Sequence, residues 1–368
     1  MSCVHVISHL SLILYQRRRS GTLATCNMVA SVIEAGTFLS LGVEMMGKER
    51  SGMSEEAIVD LFKTFFGTTP EILSQIWDLL YKTTNFFTDV GKKTKPEHLL
   101  WAFAKMKVYE KEGVMTSIVA TSKKGAPCGR TFRDKTWNII AAISTLFDDM
   151  VSNACLPTIR LLVSVYLNIC SFAFYDRPIL PTTQAARTWE SRLDDVTAGM
   201  RSLSVDGTDL RIPEEYPFST GNFSHKFNGP GARFQICLDD NGDIASIEGP
   251  YRCGYNTERV IFEEETMPDL EPGEIMEGDG YYRRNLPNVF VRDNDNEERR
   301  VAMLRRARHE KLNGMLKRYG CLHNKFVHGF EKLGWCFRAV AVVTQLELNS
   351  GRISYGFDPR DVVNETDV

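Results

Sequence analysis

Three acidic residues stand in contexts that suit a site for divalent metal ions. Asp206 lies in Val-Asp-Gly-Thr, Asp279 in Gly-Asp-Gly-Tyr, and Glu310 in Arg-His-Glu-Lys-Leu-Asn-Gly. Cleavage of a phosphodiester in line needs charge neutralised on the attacking and leaving oxygens, which two metal ions about 3.5–4 Å apart can provide. Mg²⁺ keeps several waters and takes one or two carboxylates, so three acids suffice for two ions. We predict these three residues as catalytic metal ligands for two Mg²⁺ or Mn²⁺ ions.

Cations flank the third acid. On a predicted helix, Arg306, Glu310 and Lys317 are four and seven residues apart and therefore share one face. Between Arg299 and Arg338 the chain has eleven Lys or Arg residues and two acids, although the net charge of the whole chain is only -3. The pattern favours phosphate binding by Arg306 and Lys317, and a solvated helix face would produce the same pattern.

Each of these signals also has an ordinary structural explanation. Asp-Gly is a common turn dipeptide, and a Glu among basic residues on a helix usually forms a solvent-exposed ion pair. The order of the three acids and their combined context favour the functional interpretation.

Strand ends are the predicted positions of the two aspartates. A strand over 202–205 is predicted to end at Asp206 and Gly207, and a second strand over 274–277 leads into Gly278 and Asp279. The neighbouring glycines would let the backbone turn away and leave each carboxylate at the sheet edge. A helix over 297–319 would then bring Glu310 to the same place.

The rest of the second half predicts an α/β domain. It contains a hairpin of strands 232–238 and 243–248, a short helix over 257–265, and a long helix over 325–348.

The first half is helical in its periodicity, with at least four helices between about 51 and 150. Ser54 is a predicted cap, Gly67 a predicted stop, and Pro70 lies near the start of a second helix. Helix, glycine turn, helix is the outline of a helix-turn-helix, which is also common as a plain packing unit. Further helices are predicted over 96–112, 115–121 and 132–147.

We therefore divide the chain into five segments. The predicted division is a poorly defined N-terminal segment (1–50), a helical domain that could bind DNA (51–150), a linker or insertion (151–200), the α/β domain (201–350) and a C-terminal tail (351–368). Residues 151–182 are apolar and interrupted by prolines, which is unusual for a linker. We interpret them as an insertion outside the core.

Several motifs together resemble one family. Ser-Val-Asp-Gly-Thr-Asp (204–209), Phe-Ser-His-Lys-Phe (223–227), Gly-Pro (249–250), Gly-Asp-Gly-Tyr and Arg-His-Glu-Lys-Leu-Asn-Gly-Met-Leu-Lys look like the DDE superfamily endonuclease domain of Harbinger (PIF)-like transposases. The likeness covers about residues 200–350. One departure is that the family often has an Asp shortly after the Gly-Pro, where this chain has Asn256, Thr257 and Glu258.

This resemblance implies an RNase H-like fold and a metal-dependent DNA endonuclease or transposase, a hydrolase of phosphodiester bonds. It carries the three acids of the family over to Asp206, Asp279 and Glu310, and it implies that Lys226 and Lys317 position phosphates. The expected partner is double-stranded DNA, with a homo-oligomer as a further expectation. The expected location is the nucleus in a eukaryote and otherwise the cytoplasm. The alternative is a transposase-derived protein that binds DNA or protein without transposition activity.

Other classes of protein are less consistent with the sequence. Nine cysteines without a CxxC pair argue against a disulfide framework or a zinc site. No Gly-x-Ser-x-Gly motif marks a hydrolase of the triad type. The apolar runs 4–15 and 161–175 are shorter than the roughly 20 residues of a spanning helix, so we expect no stable membrane association.

Overall fold

Six helices form the first half of the described chain. The computed structural model describes residues 33–47, 53–82, 94–152, 203–239, 241–270, 274–282, 286, 288–290 and 296–355. The helices are α1 (Ala35–Met45), α2 (Glu55–Phe66), α3 (Pro70–Lys82), α4 (Pro96–Val108), α5 (Glu112–Ile118) and α6 (Gly129–Ser152). Helix α1 lies within the segment for which the sequence predicts no defined element. The apolar run 4–15 lies outside the described residues.

Local signals explain the bounds of α2 and α3. The Ser54 hydroxyl accepts a hydrogen bond from the Ala57 amide at 3.3 Å, and Gly67 ends α2 in the left-handed region with φ 84°. Helix α3 then begins at Pro70, as predicted. In α3 only Gln75 and Lys82 are exposed. Most of α3 is therefore packed against the rest of the chain, and the DNA-binding role of this segment stays a prediction.

A mixed sheet forms the centre of the second half. Its strands are β1 (Leu203–Arg211), β2 (Phe223–Ser224), β3 (Gly229–Asp239), β4 (Ile244–Arg252), β5 (Met276–Glu277) and β6 (Val289–Phe290). Five strands follow the order β4, β3, β1, β5, β6, and β2 also pairs with β3. Strand β3 is antiparallel to β1 and β4, and β5 is parallel to β1 and β6. The predicted hairpin is confirmed as β3 and β4.

Four helices complete the second half. They are α7 (Glu258–Ile261), α8 (Asn296–Leu316), α9 (Gly320–His323) and α10 (Phe330–Asn349). The short helix predicted after Gly254 is confirmed as α7, which continues into a π-helical turn over Phe262–Thr266. The two long predicted helices correspond to α8 and α10.

One hydrophobic core joins the helices to one face of the sheet. The rings of Phe234 in β3 and Phe337 in α10 stack with centroids 3.9 Å apart, and Tyr109 after α4 stacks on Phe326 at 5.3 Å. A smaller cluster on the opposite face contains Val205, Phe262 and Tyr282. Residues from Ile33 onward form one compact unit, so the helical and α/β segments share a core. The precise domain boundaries stay predictions.

The expected mixed α/β fold is confirmed at this level. Residues 153–202, which include most of the predicted insertion and the apolar run 161–175, lie outside the described part of the chain, as do the residues of the tail after Tyr355. No helix among the described residues has the length and apolar character to cross a membrane.

Candidate metal centre

Asp206 lies in the middle of β1 and not at its end. The strand continues to Arg211, and Asp206 pairs with Ile236 of β3. The sequence-based strand end at Gly207 was therefore wrong, because the Val-Asp-Gly-Thr segment is extended on both sides of the glycine. The carboxylate of Asp206 is half-buried, and its Oδ1 accepts a hydrogen bond from the Gly207 amide at 2.8 Å.

Parallel strand pairing brings Asp279 to Asp206. Leu203 is opposite Met276 and Ser204 is opposite Glu277. Two residues further along each chain, at the end of β5, this register brings Asp206 and Asp279 to the same level. Asp279 follows β5 after Gly278, and its Oδ1 accepts a hydrogen bond from the Tyr281 amide at 2.8 Å.

Glu258 is a third acid at this place, and the sequence analysis did not assign it. It is the first residue of α7, where the Thr257 hydroxyl accepts a hydrogen bond from the Val260 amide at 3.3 Å and caps the helix. Glu258 is 5% exposed. Its side chain lies against Gly207, where an added Cβ would come within 2.4 Å of Glu258 Oε1. The glycine therefore leaves the space that Glu258 occupies beside β1.

The three carboxylates form one cluster. Asp206, Glu258 and Asp279 each offer one oxygen, and the three oxygens lie within 4.8 Å of one another. Hard oxygen donors of this kind suit Mg²⁺ or Mn²⁺. The pKa of Asp206 is raised to about 6, chiefly by burial; Lys226 opposes this rise, and the charges of Glu258 and Asp279 contribute to it. Three carboxylates this close repel one another, and a bound cation would relieve that repulsion.

Lys226 supplies positive charge to this cluster. Its ammonium donates a hydrogen bond to the Gly207 carbonyl at 2.6 Å and lies 2.8 Å from Glu258 Oε1. Burial lowers the pKa of Lys226, but the attraction of Glu258 outweighs it and the net shift is upward, so the lysine stays charged. It lies in the turn between β2 and β3, which places one of the predicted phosphate-binding residues at the cluster.

Lys317, another predicted phosphate-binding residue, lies within electrostatic reach of the same cluster. It directly follows α8 and is half-buried. Burial lowers its pKa and the charge of Lys226 lowers it further, while Asp209 and Asp206 act in the opposite direction. The two lysines therefore create positive potential beside the acids.

Glu310 does not belong to the group of three carboxylates. Its side chain is 68% exposed and pairs with Arg306 at 3.5 Å on the outer face of α8. The preceding residue, His309, points inward, where its Nε2 lies 2.9 Å from the Ser204 hydroxyl. Consecutive helical residues differ by about 100° around the axis, which explains the opposite orientations. The metal role of Glu310 and the phosphate role of Arg306 stay predictions.

A buried ion pair fixes the segments that carry Lys226 and Glu258. Arg233 in β3 binds both carboxylate oxygens of Asp209, at 2.7 and 2.9 Å, and its Nη1 donates a hydrogen bond to the Asn256 carbonyl at 3.1 Å. The Ser224 hydroxyl, two residues before Lys226, also donates a hydrogen bond to Asp209. A bidentate arginine holds its partners in a defined geometry.

Gln235 links the two other supports of the cluster. Its amide nitrogen donates hydrogen bonds to the Glu258 carbonyl and to the Tyr282 hydroxyl, both at 2.9 Å. Tyr282 belongs to the turn that follows Asp279, and it is fully buried. One side chain of β3 therefore sets the positions of α7 and of the Asp279 turn relative to β1.

Glu258 could have been found from two signals in the sequence. Thr257 marks the start of a helix, and Glu258 stands in the region after Gly249–Pro250 where the resembling family often has an acid. The contact between Gly207 and Glu258 joins residues 51 positions apart, and no local pattern predicts such a contact.

Comparison of the chain with protein-family models, with curated proteins and with solved structures gives no match. The likeness to Harbinger-like transposases therefore stays a prediction from the motifs quoted above.

Proposed function

We propose that this chain is a metal-dependent nuclease that cleaves DNA phosphodiester bonds. The observation that carries the proposal is the cluster of Asp206, Glu258 and Asp279, with ligand oxygens within 4.8 Å of one another. When bound there, a divalent cation would stabilise charge on the phosphodiester and generate a nucleophile from water. A DDE-type transposase activity is the finer form of the same proposal, and it includes an RNase H-like catalytic fold.

The topology of the sheet supports the RNase H-like part of the proposal. An antiparallel meander of β1, β3 and β4 is extended on the β1 side by the parallel strands β5 and β6. This arrangement is the one expected of an RNase H-like sheet, and it brings β1 and β5 together. Asp206 lies in β1, and Asp279 follows β5 after Gly278.

The chain's own groups have distinct tasks in this proposal. Asp206, Glu258 and Asp279 hold the cation, and Lys226 and Lys317 attract the phosphate. The ring of Tyr281, next to Asp279, is 76% exposed and is available to stack on a nucleobase. In a two-metal mechanism, Glu310 is the further carboxylate that we propose as a ligand of the second ion.

One observation favours a second candidate function, a DNA- or protein-binding chain without catalysis. The ammonium of Lys226 already compensates Glu258 at 2.8 Å. If that ion pair persists in solution, the ammonium of Lys226 takes the place of a metal ion, and the acids have a structural role.

A plasmid-nicking assay separates the two functions. The full chain is incubated with supercoiled plasmid and Mg²⁺, Mn²⁺ or a chelator, alongside Asp206→Asn, Glu258→Gln and Asp279→Asn. We expect nicking by the wild-type chain that a chelator abolishes and that each variant reduces at least a hundredfold. Glu263→Gln is the matched control, because Glu263 lies in the same segment but pairs with Arg259 at the surface. Wild-type levels of nicking in the three variants, or no nicking by the wild-type chain, would contradict the nuclease proposal.

A further inference from the structure

A cavity lies between the helical half and the segment that precedes α10. It has a volume of about 380 Å³, within the range of small-molecule sites. The cavity is lined by residues of α4, α5 and α6, of the loop between α4 and α5, of the segment 324–328, and by Lys332 of α10, and none of the three clustered acids lines it. It is therefore a separate feature from the candidate metal centre.

The charges of the cavity favour an anion. Its lining contains five cationic side chains and two carboxylates. Arg133 is neutralised by Glu112, with two hydrogen bonds at 2.7 and 2.8 Å. Lys111, Lys325 and Lys332 form no ion pair with any part of the chain that the structure describes. These three ammonium groups leave positive charge in the lining that is not compensated within the described chain.

The aromatic walls strengthen the effect of that charge. Lys332 lies 4.9 Å from the centroid of Trp137, and the Trp137 ring meets His328 edge-on at 4.8 Å. Apolar walls lower the local dielectric constant, so a charge at the cavity interacts more strongly with an anion than it would in water.

His328 offers a ring nitrogen that is not used within the described chain and that donates in the Nε2–H tautomer. Its Nε2 is buried without a hydrogen-bond partner there. Buried polar atoms normally have partners, and an oxygen of a bound anion would supply one. The pKa of His328 is lowered to about 4, chiefly by burial, and the charges of Lys105 and Lys332 contribute to this shift, which agrees with positive potential at this place.

We propose that this cavity binds the phosphate groups of a small phosphorylated molecule, with Lys111, Lys325 and Lys332 as the binding cations. The phosphate oxygens would lie among the three ammonium groups and accept a hydrogen bond from His328. The shared chemistry is a di-anionic phosphate or diphosphate group, as found in inorganic pyrophosphate and in a nucleoside diphosphate. The proposal is independent of metal binding by Asp206.

The test is calorimetric titration of inorganic pyrophosphate, and separately of a nucleoside diphosphate, into the full chain with chelator present. We expect saturable binding, weakened at least tenfold in the double variant Lys325→Gln, Lys332→Gln. The double variant Lys63→Gln, Lys123→Gln removes two exposed lysines outside the cavity, and its affinity for pyrophosphate should stay within twofold of wild type. Tighter binding of the nucleoside diphosphate would identify a nucleotide as the ligand class, and equal binding would identify the diphosphate group alone.

Tryptophan fluorescence locates the site. We expect pyrophosphate to change the fluorescence of the wild-type chain, and Trp137→Phe to lose that change while it still binds. The proposal is overturned if neither ligand binds, if the cavity variant binds as tightly as the control, or if Trp137→Phe keeps the full fluorescence change. Binding of duplex DNA alone, weakened in the cavity variant, would also overturn it, because the surface would then be a nucleic-acid contact.

Discussion

At the scale of single residues, Gly207 determines how closely Glu258 can approach Asp206. Any side chain at position 207 would overlap Glu258, with a Cβ 2.4 Å from its Oε1. The glycine is in extended backbone within β1, so its role is to leave space and not to adopt an unusual φ. The Asp-Gly pair that suggests a turn in the sequence is therefore a strand segment with a close approach.

Replacing this glycine should separate the carboxylates. In Gly207→Ala we expect the affinity for Mn²⁺ to fall at least tenfold, because Glu258 must move away from Asp206. Calorimetric titration measures the affinity, and circular dichroism reports whether the fold is retained.

The matched control for this substitution is Gly314→Ala. An added Cβ at Gly314 meets nothing within 4 Å, and the residue lies in α8. Alanine should stabilise that helix by roughly 0.5–1 kcal/mol and leave the Mn²⁺ affinity unchanged. Equal affinities in wild type and Gly207→Ala would show that Glu258 is not a ligand.

At the scale of elements, the sequence predicted the helices and strands whose ends are marked by local residues. Ser54, Gly67 and Pro70 mark the ends of α2 and α3, and the turn residues after Asp239 mark the hairpin. Helix α4 was also found, although it is buried on nearly all sides. The end of β1 and the position of Glu258 depend on contacts between distant segments, which the local pattern does not contain. The missed helix α1 has a weak cap: Glu34 makes no side-chain hydrogen bond there.

Buried His98 in the first turn of α4 makes the stability of this element depend on pH. Its Nδ1 accepts a hydrogen bond from the Lys95 amide at 3.1 Å, and burial lowers the pKa of His98 to about 4. The unfolded chain takes up this proton near pH 6.5 and the folded chain only near pH 4. Neutral, buried His98 therefore makes its full contribution to the free energy of unfolding above pH 6.5, and this contribution is lost as the pH falls towards 4.

We expect His98→Asn to flatten this dependence, since an amide oxygen can accept the same hydrogen bond but does not titrate. Between pH 6.5 and 4, the free energy of unfolding of the wild-type chain should fall more steeply than that of the variant, by at most about 1.4 kcal/mol per pH unit. Urea denaturation at a series of pH values measures the difference. Parallel profiles for the two proteins would mean that folding does not lower the pKa of His98.

At the scale of the whole molecule, the helical and α/β segments support one site. The shared core includes α4, α6 and α10 together with one face of the sheet. A buried network continues this connection: Glu347 in α10 accepts a hydrogen bond from the Thr68 hydroxyl at 2.7 Å and another from Arg318 at 2.9 Å. Arg318 follows Lys317, so the position of this lysine depends on helices from both halves of the chain.

The composition and periodicity predicted both halves but not their common core, because side-chain periodicity identifies a buried face without identifying what covers it. For the same reason, the acid cluster could be predicted from the sequence only in part. The sequence identified Asp206 and Asp279 by their motifs, whereas the third ligand is defined by the packing of α7 against β1.

The most direct test of the central claim is the binding of Mn²⁺ to the full chain, measured by calorimetric titration of the wild type, Glu258→Gln and Glu310→Gln. The cluster geometry predicts that Glu258→Gln lowers the affinity for the first Mn²⁺ ion at least tenfold, because it removes one of three adjacent carboxylates. Glu310→Gln should leave the affinity for that ion within twofold of wild type, since Glu310 is exposed and paired with Arg306. Unchanged binding in Glu258→Gln, or loss of the first ion in Glu310→Gln alone, would contradict this account.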